Sequence, residues 1–209
     1  MAKQVLLGTT NPAKIKRFTD LLAGCDVACV TPAMLRIGQE PAETGASPLE
    51  NARIKAAFYS RWCDRVIGND SGLYLEGLPL DDPRQPGLHV RAPQGVRLDD
   101  DEMIAYYAAL AHSLGGRVTA FYLDGIAVAC GGQVFGFMDE AYARAGAFDL
   151  VDAPHAKRHP GWPLDSLSIY RGTGCYFVEQ AGAAGEQDNI IEKEYRVRLR
   201  EFLREALGV

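Results

Sequence analysis

The chain contains no apolar run approaching the ~20 residues that a membrane-spanning helix needs, which excludes a bilayer-crossing helix as its organising element. Cysteine is scarce. The 5 cysteines, at 25, 29, 63, 130 and 175, are odd in number and form no CxxC pair, so reduced thiols are expected rather than a disulfide framework or a zinc site. Positive charge is in deficit, with Lys+Arg 22 against Asp+Glu 27 and a net charge of -5, so polymeric nucleic acid is not an expected partner. Any phosphate must be met by a local cluster of donors. Repeats, low-complexity tracts and a linker-like composition break are also missing, and the 209 residues read as a single domain, 1–209. The opening MAKQVLLGTTNPAK carries neither a long apolar run nor a small-residue cleavage site, and the expectation is a cytoplasmic protein without membrane partners.

What is present is an alternation of short apolar runs and helix signals. Lys3–Thr9, with Val5, Leu6 and Leu7, reads as a buried strand. Asn11 as cap and Pro12 at the first helical position open a helix that Gly24 can end. Val27–Val30 is a second strand, and Ser47, Pro48 and Glu50 open a second helix with capping-box spacing and a narrow stripe of Ala52, Ala56, Tyr59 and Cys63. Val66–Ile67 predicts a strand running into a polar turn at Asn69-Asp70-Ser71-Gly72, followed by a Pro- and Gly-rich surface loop from Gly77 to Gly95. Asp99–Asp101 cap a helix reaching Leu114. Val118–Leu123 and Ile126–Cys130 are strand-like, with Asp124-Gly125 either turning a hairpin or lying in a bulged strand. Asp139–Ala145 is weakly helical, Leu167–Tyr170 and Cys175–Glu179 are strand candidates, and Glu192–Leu207 is an amphipathic terminal helix. The pattern predicts an α/β fold, a mixed sheet flanked by helices.

Three clusters carry chemistry. Thr9, Thr10, Asn11 and Lys14 lie between a strand and a helix, where free backbone N–H groups, hydroxyls and an ammonium suit a phosphate, although an ordinary capped helix needs the same residues. The GxxxxGK[ST] phosphate loop is absent. Glu50 and Lys55 occupy the first turns of the second helix, as a cap and a solvated lysine or as a site. Asp70 and Ser71 fit metal binding or activation of water, or else an Asx-turn. Glu50 with Asp70 would form a hard-oxygen site for Mg²⁺. His155 and His159 are four apart, but Pro154 and Pro160 frame them, which predicts a loop rather than a metal-binding helix face.

TTNPAK, TGASPLENARIKA, VIGNDSGL, PGLHVRA and GWPLDSL resemble, in order and approximate spacing and over nearly the whole chain, the motifs TGNxxK, DGxTFxENAxxKA, xADDSGL, PGxYSAR and GFGYDP of the inosine triphosphate pyrophosphatase family. That resemblance implies a long mixed central sheet in two lobes with a nucleotide cleft between them, and commonly a homodimer. It implies Mg²⁺-dependent hydrolysis of non-standard purine nucleoside triphosphates such as dITP, ITP and XTP to the monophosphate and pyrophosphate. Thr10, Asn11, Lys14 and Lys55 would then hold phosphate, and Ser71 would add a hydrogen bond. Glu50 and Asp70 would bind metal, with Asp70 also a candidate to activate water. Arg91 matches the basic residue of PGxYSAR one position early, Trp162 falls where the family has a base-stacking Phe, and Asp165 falls on the Asp of GFGYDP. Asn69 replaces an acid, and Glu194-Tyr195-Arg196 stands where a Ser-His-Arg base-reading block is expected, so Arg196 survives and the His does not. A pyrophosphatase with another base preference, and a non-catalytic nucleotide-binding homologue, are the alternatives.

Overall fold

The structure, a computed structural model, describes residues 2–179 and 186–209. Val5, Leu6 and Leu7 are almost wholly buried in β1 (Lys3–Leu7), which pairs in parallel with β2 (Val27–Val30) on one side and β3 (Arg65–Leu75) on the other. Parallel neighbours need crossovers, and α1 (Pro12–Leu21) and α2 (Pro48–Tyr59) supply them. Both start as their sequences require, with Asn11 and Ser47 side chains accepting backbone N–H groups and a proline in the first turn. The chain continues through α3 (Asp100–Ser113), β4 (Arg117–Cys130), β5 (Gln133–Met138), α4 (Glu140–Ala145), β6 (Phe148–Val151), β7 (Ser168–Ile169) and α5 (Glu186–Leu207). The result is the expected mixed sheet, seven-stranded in the order β2-β1-β3-β4-β6-β7 with β5 paired antiparallel to β4.

Contacts divide the chain into two compact units, one of Met1–Ser71, Asp124–Asp139 and Glu194–Val209, the other of Gly72–Leu123 and Glu140–Lys193. Each has its own core. In the first, Leu6, Val66, Ala127 and Ala129 of the sheet meet Ala52, Ala56 and Tyr59 of α2. In the second, Met103, Ile104, Tyr107 and Leu110 of α3 pack with Leu73, Leu75, Ala120, Phe148 and Leu150. Asp99 and Glu102 close a full capping box at the start of α3, and Gln85 pins the preceding loop by bonding Leu75 N, Leu75 O and Leu78 O.

Two local expectations need correction, and one open pair of alternatives is decided. No turn interrupts residues 69–72, because β3 runs straight through them, each polar side chain there finding a partner without leaving the strand. Of the two readings of Asp124-Gly125, hairpin turn or strand, the strand holds: β4 is continuous, and the reversal comes at Gly131-Gly132, whose φ values of 57° and 76° suit a two-residue turn between Cys130 and Gln133. Cys175–Glu179 is not a strand. Its last residues wind into a 3₁₀ turn, Phe177–Glu179, fastened by the Glu179 carboxylate accepting from Tyr176 N at 2.6 Å.

Candidate active site

The site grows from a close approach of helix to sheet. At Gly68 of β3 a Cβ would lie 2.2 Å from the Ala52 carbonyl oxygen, and at Gly125 of β4 a Cβ would lie 2.2 Å from the Pro48 carbonyl carbon. Only glycine permits α2 to sit this low. Asn51 and Lys55, one turn apart on α2, thereby reach the same carboxylate. Asn51 Nδ2 donates to Asp70 Oδ2 at 3.0 Å, and Lys55 Nζ donates to Asp70 Oδ1 at 3.0 Å. Lys55 also bonds the Asn69 carbonyl at 3.3 Å and pairs with Glu43 at 2.8 Å. Burial alone would lower its pKa, but Asp70 and Glu43 outweigh burial and raise it. The Asn51 side-chain oxygen accepts from Gly45 N at 2.8 Å, which ties the preceding segment to the same point.

A second charge cluster in this unit is built on α1. The Asn11 side chain accepts from Ala13 N and Lys14 N, and Thr9 Oγ1 accepts from Asn11 N, so the strand-to-helix turn is held by its own polar groups. Lys14 is half-buried and its ammonium makes no hydrogen bond or ion pair among the described residues. Burial lowers its pKa, Asp124 and Asp70 opposing and Lys55 and Arg17 assisting the shift. Arg17, one turn further on, pairs with Asp124 at 2.5 Å and reaches the Tyr195 hydroxyl of α5 at 3.5 Å. The other Asp124 oxygen accepts from Ser71 Oγ at 2.6 Å. Burial pushes the Asp124 pKa up, but Arg17, the Ser71 hydrogen bond and Lys14 together bring it below its usual 3.8.

The residues expected from the sequence fall into two groups. Thr9, Thr10, Asn11, Lys14, Glu50, Lys55, Asp70, Ser71 and Arg196 all belong to the first unit, whereas Arg91, Trp162 and Asp165 belong to the second. Glu50 and Asp70 have different partners: the Glu50 carboxylate accepts from Ala46 N at 2.7 Å, completing half a capping arrangement, while Asp70 is held by Asn51 and Lys55. The single Ser71 hydroxyl proton is committed to Asp124, so a bond from it to phosphate requires the hydroxyl to turn. Arg196 is exposed on α5 beside buried Tyr195. In the second unit Arg91 pairs with Asp100 at 2.9 Å, Trp162 is 45% exposed, and Asp165 lies 2.8 Å from His159 Nδ1. Burial raises the Asp165 pKa against the opposing influence of His159.

Sequence reasoning missed Asn51, Glu43, Arg17 and Asp124. Arg17 had a signal, its three-residue spacing from Lys14 on a helix; Glu43 had none. One further polar atom stands out. Asn69 Nδ2 bonds Gly125 O at 2.9 Å, but its buried Oδ1 has no partner among the described residues.

A sequence profile of the Ham1 family matches residues 5–139. The chain is 34% identical over 103 residues to a dITP/XTP pyrophosphatase of Legionella pneumophila, a match covering 49% of this chain and only 50% of that protein. With a dITP/XTP pyrophosphatase of Thermus thermophilus it shares 31% identity over 155 residues, 69% of this chain and 72% of the relative. In fold it is similar to a HAM1 protein from Coxiella burnetii, with a TM-score of 0.74 at 19% identity over 98% of this chain and 100% of that one.

Proposed function

The chain belongs to the Ham1 family, and from that premise we propose that it hydrolyses nucleoside triphosphates to the monophosphate and pyrophosphate, with non-standard purines such as dITP, ITP and XTP as the substrate class. The observation that carries the proposal is Asp70, held on one oxygen by Lys55 and on the other by Asn51, in the same unit as the ammonium of Lys14, which has no partner among the described residues. In this reading Lys14 and the N-terminus of α1 receive the phosphate chain, and Thr10 and Asn11 add donors. Lys55 stabilises the charge that gathers on departing pyrophosphate, and Asp70, oriented by its two donors, accepts the proton of the attacking water. Trp162 offers a face on which a base stacks, and Arg91, Asp165 and Arg196 are proposed as further substrate-binding residues. The proposal takes residues 1–209 as one domain working as a cytoplasmic homodimer, the assembly implied by the family resemblance.

The oxygen chemistry of the first unit fits a divalent cation. Glu43, Glu50 and Asp70 are hard donors, and the orphaned Oδ1 of Asn69 is a buried acceptor that a cation would satisfy. No group of three acid, His or Cys side chains forms a ready-made cage among the described residues, so Mg²⁺ here would take part of its coordination from substrate phosphates. When bound it would neutralise triphosphate charge. Glu50 and Asp70 would hold it, and Glu50→Gln is expected to raise the Mg²⁺ concentration needed for half-maximal rate. If Glu50 is only a cap, that titration stays in place and a thermal melt shows a loss of roughly 0.5–2 kcal/mol.

The deciding assay supplies a panel of nucleoside triphosphates, with and without Mg²⁺, and identifies the products. Monophosphate and pyrophosphate in equal amounts are expected. Diphosphate with inorganic phosphate as the sole products would refute the reading, and tight binding without turnover would leave the non-catalytic alternative standing.

A further inference from the structure

Asp124 has no role in the proposed hydrolysis, yet like Asp70 it has a partner on each carboxylate oxygen. It sits in mid-strand, and both of its oxygens are in use, one accepting from Ser71 at 2.6 Å and one paired with Arg17 at 2.5 Å. Arg17 follows Lys14 by one helical turn, so the two cations project from the same side of α1. Lys14 has no partner among the described residues, and Arg17 is held by Asp124 and flanked by the Tyr195 ring, whose centroid is 5.8 Å from the guanidinium carbon.

We propose that Asp124 is a positioning residue that acts as the counter-ion of Arg17, keeping that guanidinium off the phosphate path so that Lys14 and Lys55, and not Arg17, are the cationic side chains on the leaving pyrophosphate. A guanidinium binds phosphate oxygens in a bidentate fork, whereas an ammonium binds them as a point charge. Adding a free arginine beside two lysines would therefore hold a polyanionic product too tightly to leave. Asp124 offsets that charge, and Ser71, anchored to its other oxygen, fixes the carboxylate's orientation.

The inference rests on the pyrophosphatase reading for its ligand, and two measurements separate the two. Turnover of the panel by the unaltered protein tests the reading. Calorimetric binding of inorganic pyrophosphate to the unaltered protein, Asp124→Asn, Arg17→Met and the double variant tests the role of Asp124. Asp124→Asn keeps an acceptor for Ser71 and releases Arg17; it should bind pyrophosphate roughly tenfold more tightly, the scale on which close charge pairs are coupled. The KM for substrate and kcat should fall together as release becomes slow. Mere structural damage would weaken binding instead. The double variant removes both charges at once, which is tolerated far better than stranding one of them, and it should bind pyrophosphate with the affinity of the unaltered protein. Should Asp124→Asn fail to fold, the double variant still decides. Binding weakened tenfold in the double variant would make Arg17 a direct phosphate ligand and overturn the proposal. So would unchanged or weaker binding by Asp124→Asn, or an unaltered protein that does not bind pyrophosphate.

Discussion

Asp70→Asn should bind nucleoside triphosphate with little change while kcat falls about 10²–10⁴-fold, the range for removing a positioned general base. The carboxylate now accepts from Lys55 and Asn51 on separate oxygens, at 3.0 Å each. An amide in its place has one oxygen to offer and turns its own donor toward the other partner, so either Lys55 or Asn51 loses its acceptor. More important for the rate, an amide cannot take a proton from water. A group that acts on the transition state appears in kcat rather than in substrate affinity, and separate measurement of nucleotide binding and single-turnover rate distinguishes the two. A variant with kcat close to that of the unaltered protein would remove Asp70 from the catalytic role. A variant that loses binding and turnover together would make it a binding residue.

The second large effect concerns the seat of α2. Gly125→Ala places a methyl group 2.2 Å from the Pro48 carbonyl carbon and 2.3 Å from Leu49 N, contacts with backbone that no rotamer change relieves. Overpacking of this kind costs about 3 kcal/mol, which for a chain of this size lowers Tm by roughly 6–12 °C. The helix must lift, and it carries Asn51 and Lys55 with it. Activity at temperatures well below the new Tm should therefore also fall, because a displacement of about 1 Å in positioning groups costs on the order of 10²-fold. A melt superimposable on that of the unaltered protein would show that α2 is not seated on Gly125. By contrast, Gly131→Ala is strained only through its φ of 57° at an open hairpin tip and leaves the site untouched.

Local signals in the sequence determined the helices and most strands of this protein, because caps and periodicity act within a few residues of each other. Asn11-Pro12, Ser47-Pro48 and Asp99 open α1, α2 and α3 where their chemistry says they must. The same locality explains the error at Asn69-Asp70-Ser71-Gly72 and the ambiguity at Asp124-Gly125. Polar and glycine residues in water prefer turns, which makes a turn the reading of the first and one of two readings of the second; both lie in strands because partners distant in sequence satisfy them: Asn51 and Lys55 for Asp70, Asp124 for Ser71, Arg17 for Asp124. The glycines at 68 and 125 are there for closeness to α2, a requirement no window of sequence displays.

The site divides along the same line. Sequence alone placed Lys14, Glu50 and Lys55 in the first turns of helices and Asp70 just after a strand, the residue types and spacing that mark the family. Only the tertiary structure decided which of them meet. It gave Asp70 to Asn51 and Lys55, gave Glu50 to a backbone amide, left Lys14 open and neutralised Arg17 with Asp124. The reason is physical: a residue's type and its near neighbours set what bonds it is able to make, but a charge removed from water takes its partner from whichever element the fold brings within about 3 Å of it.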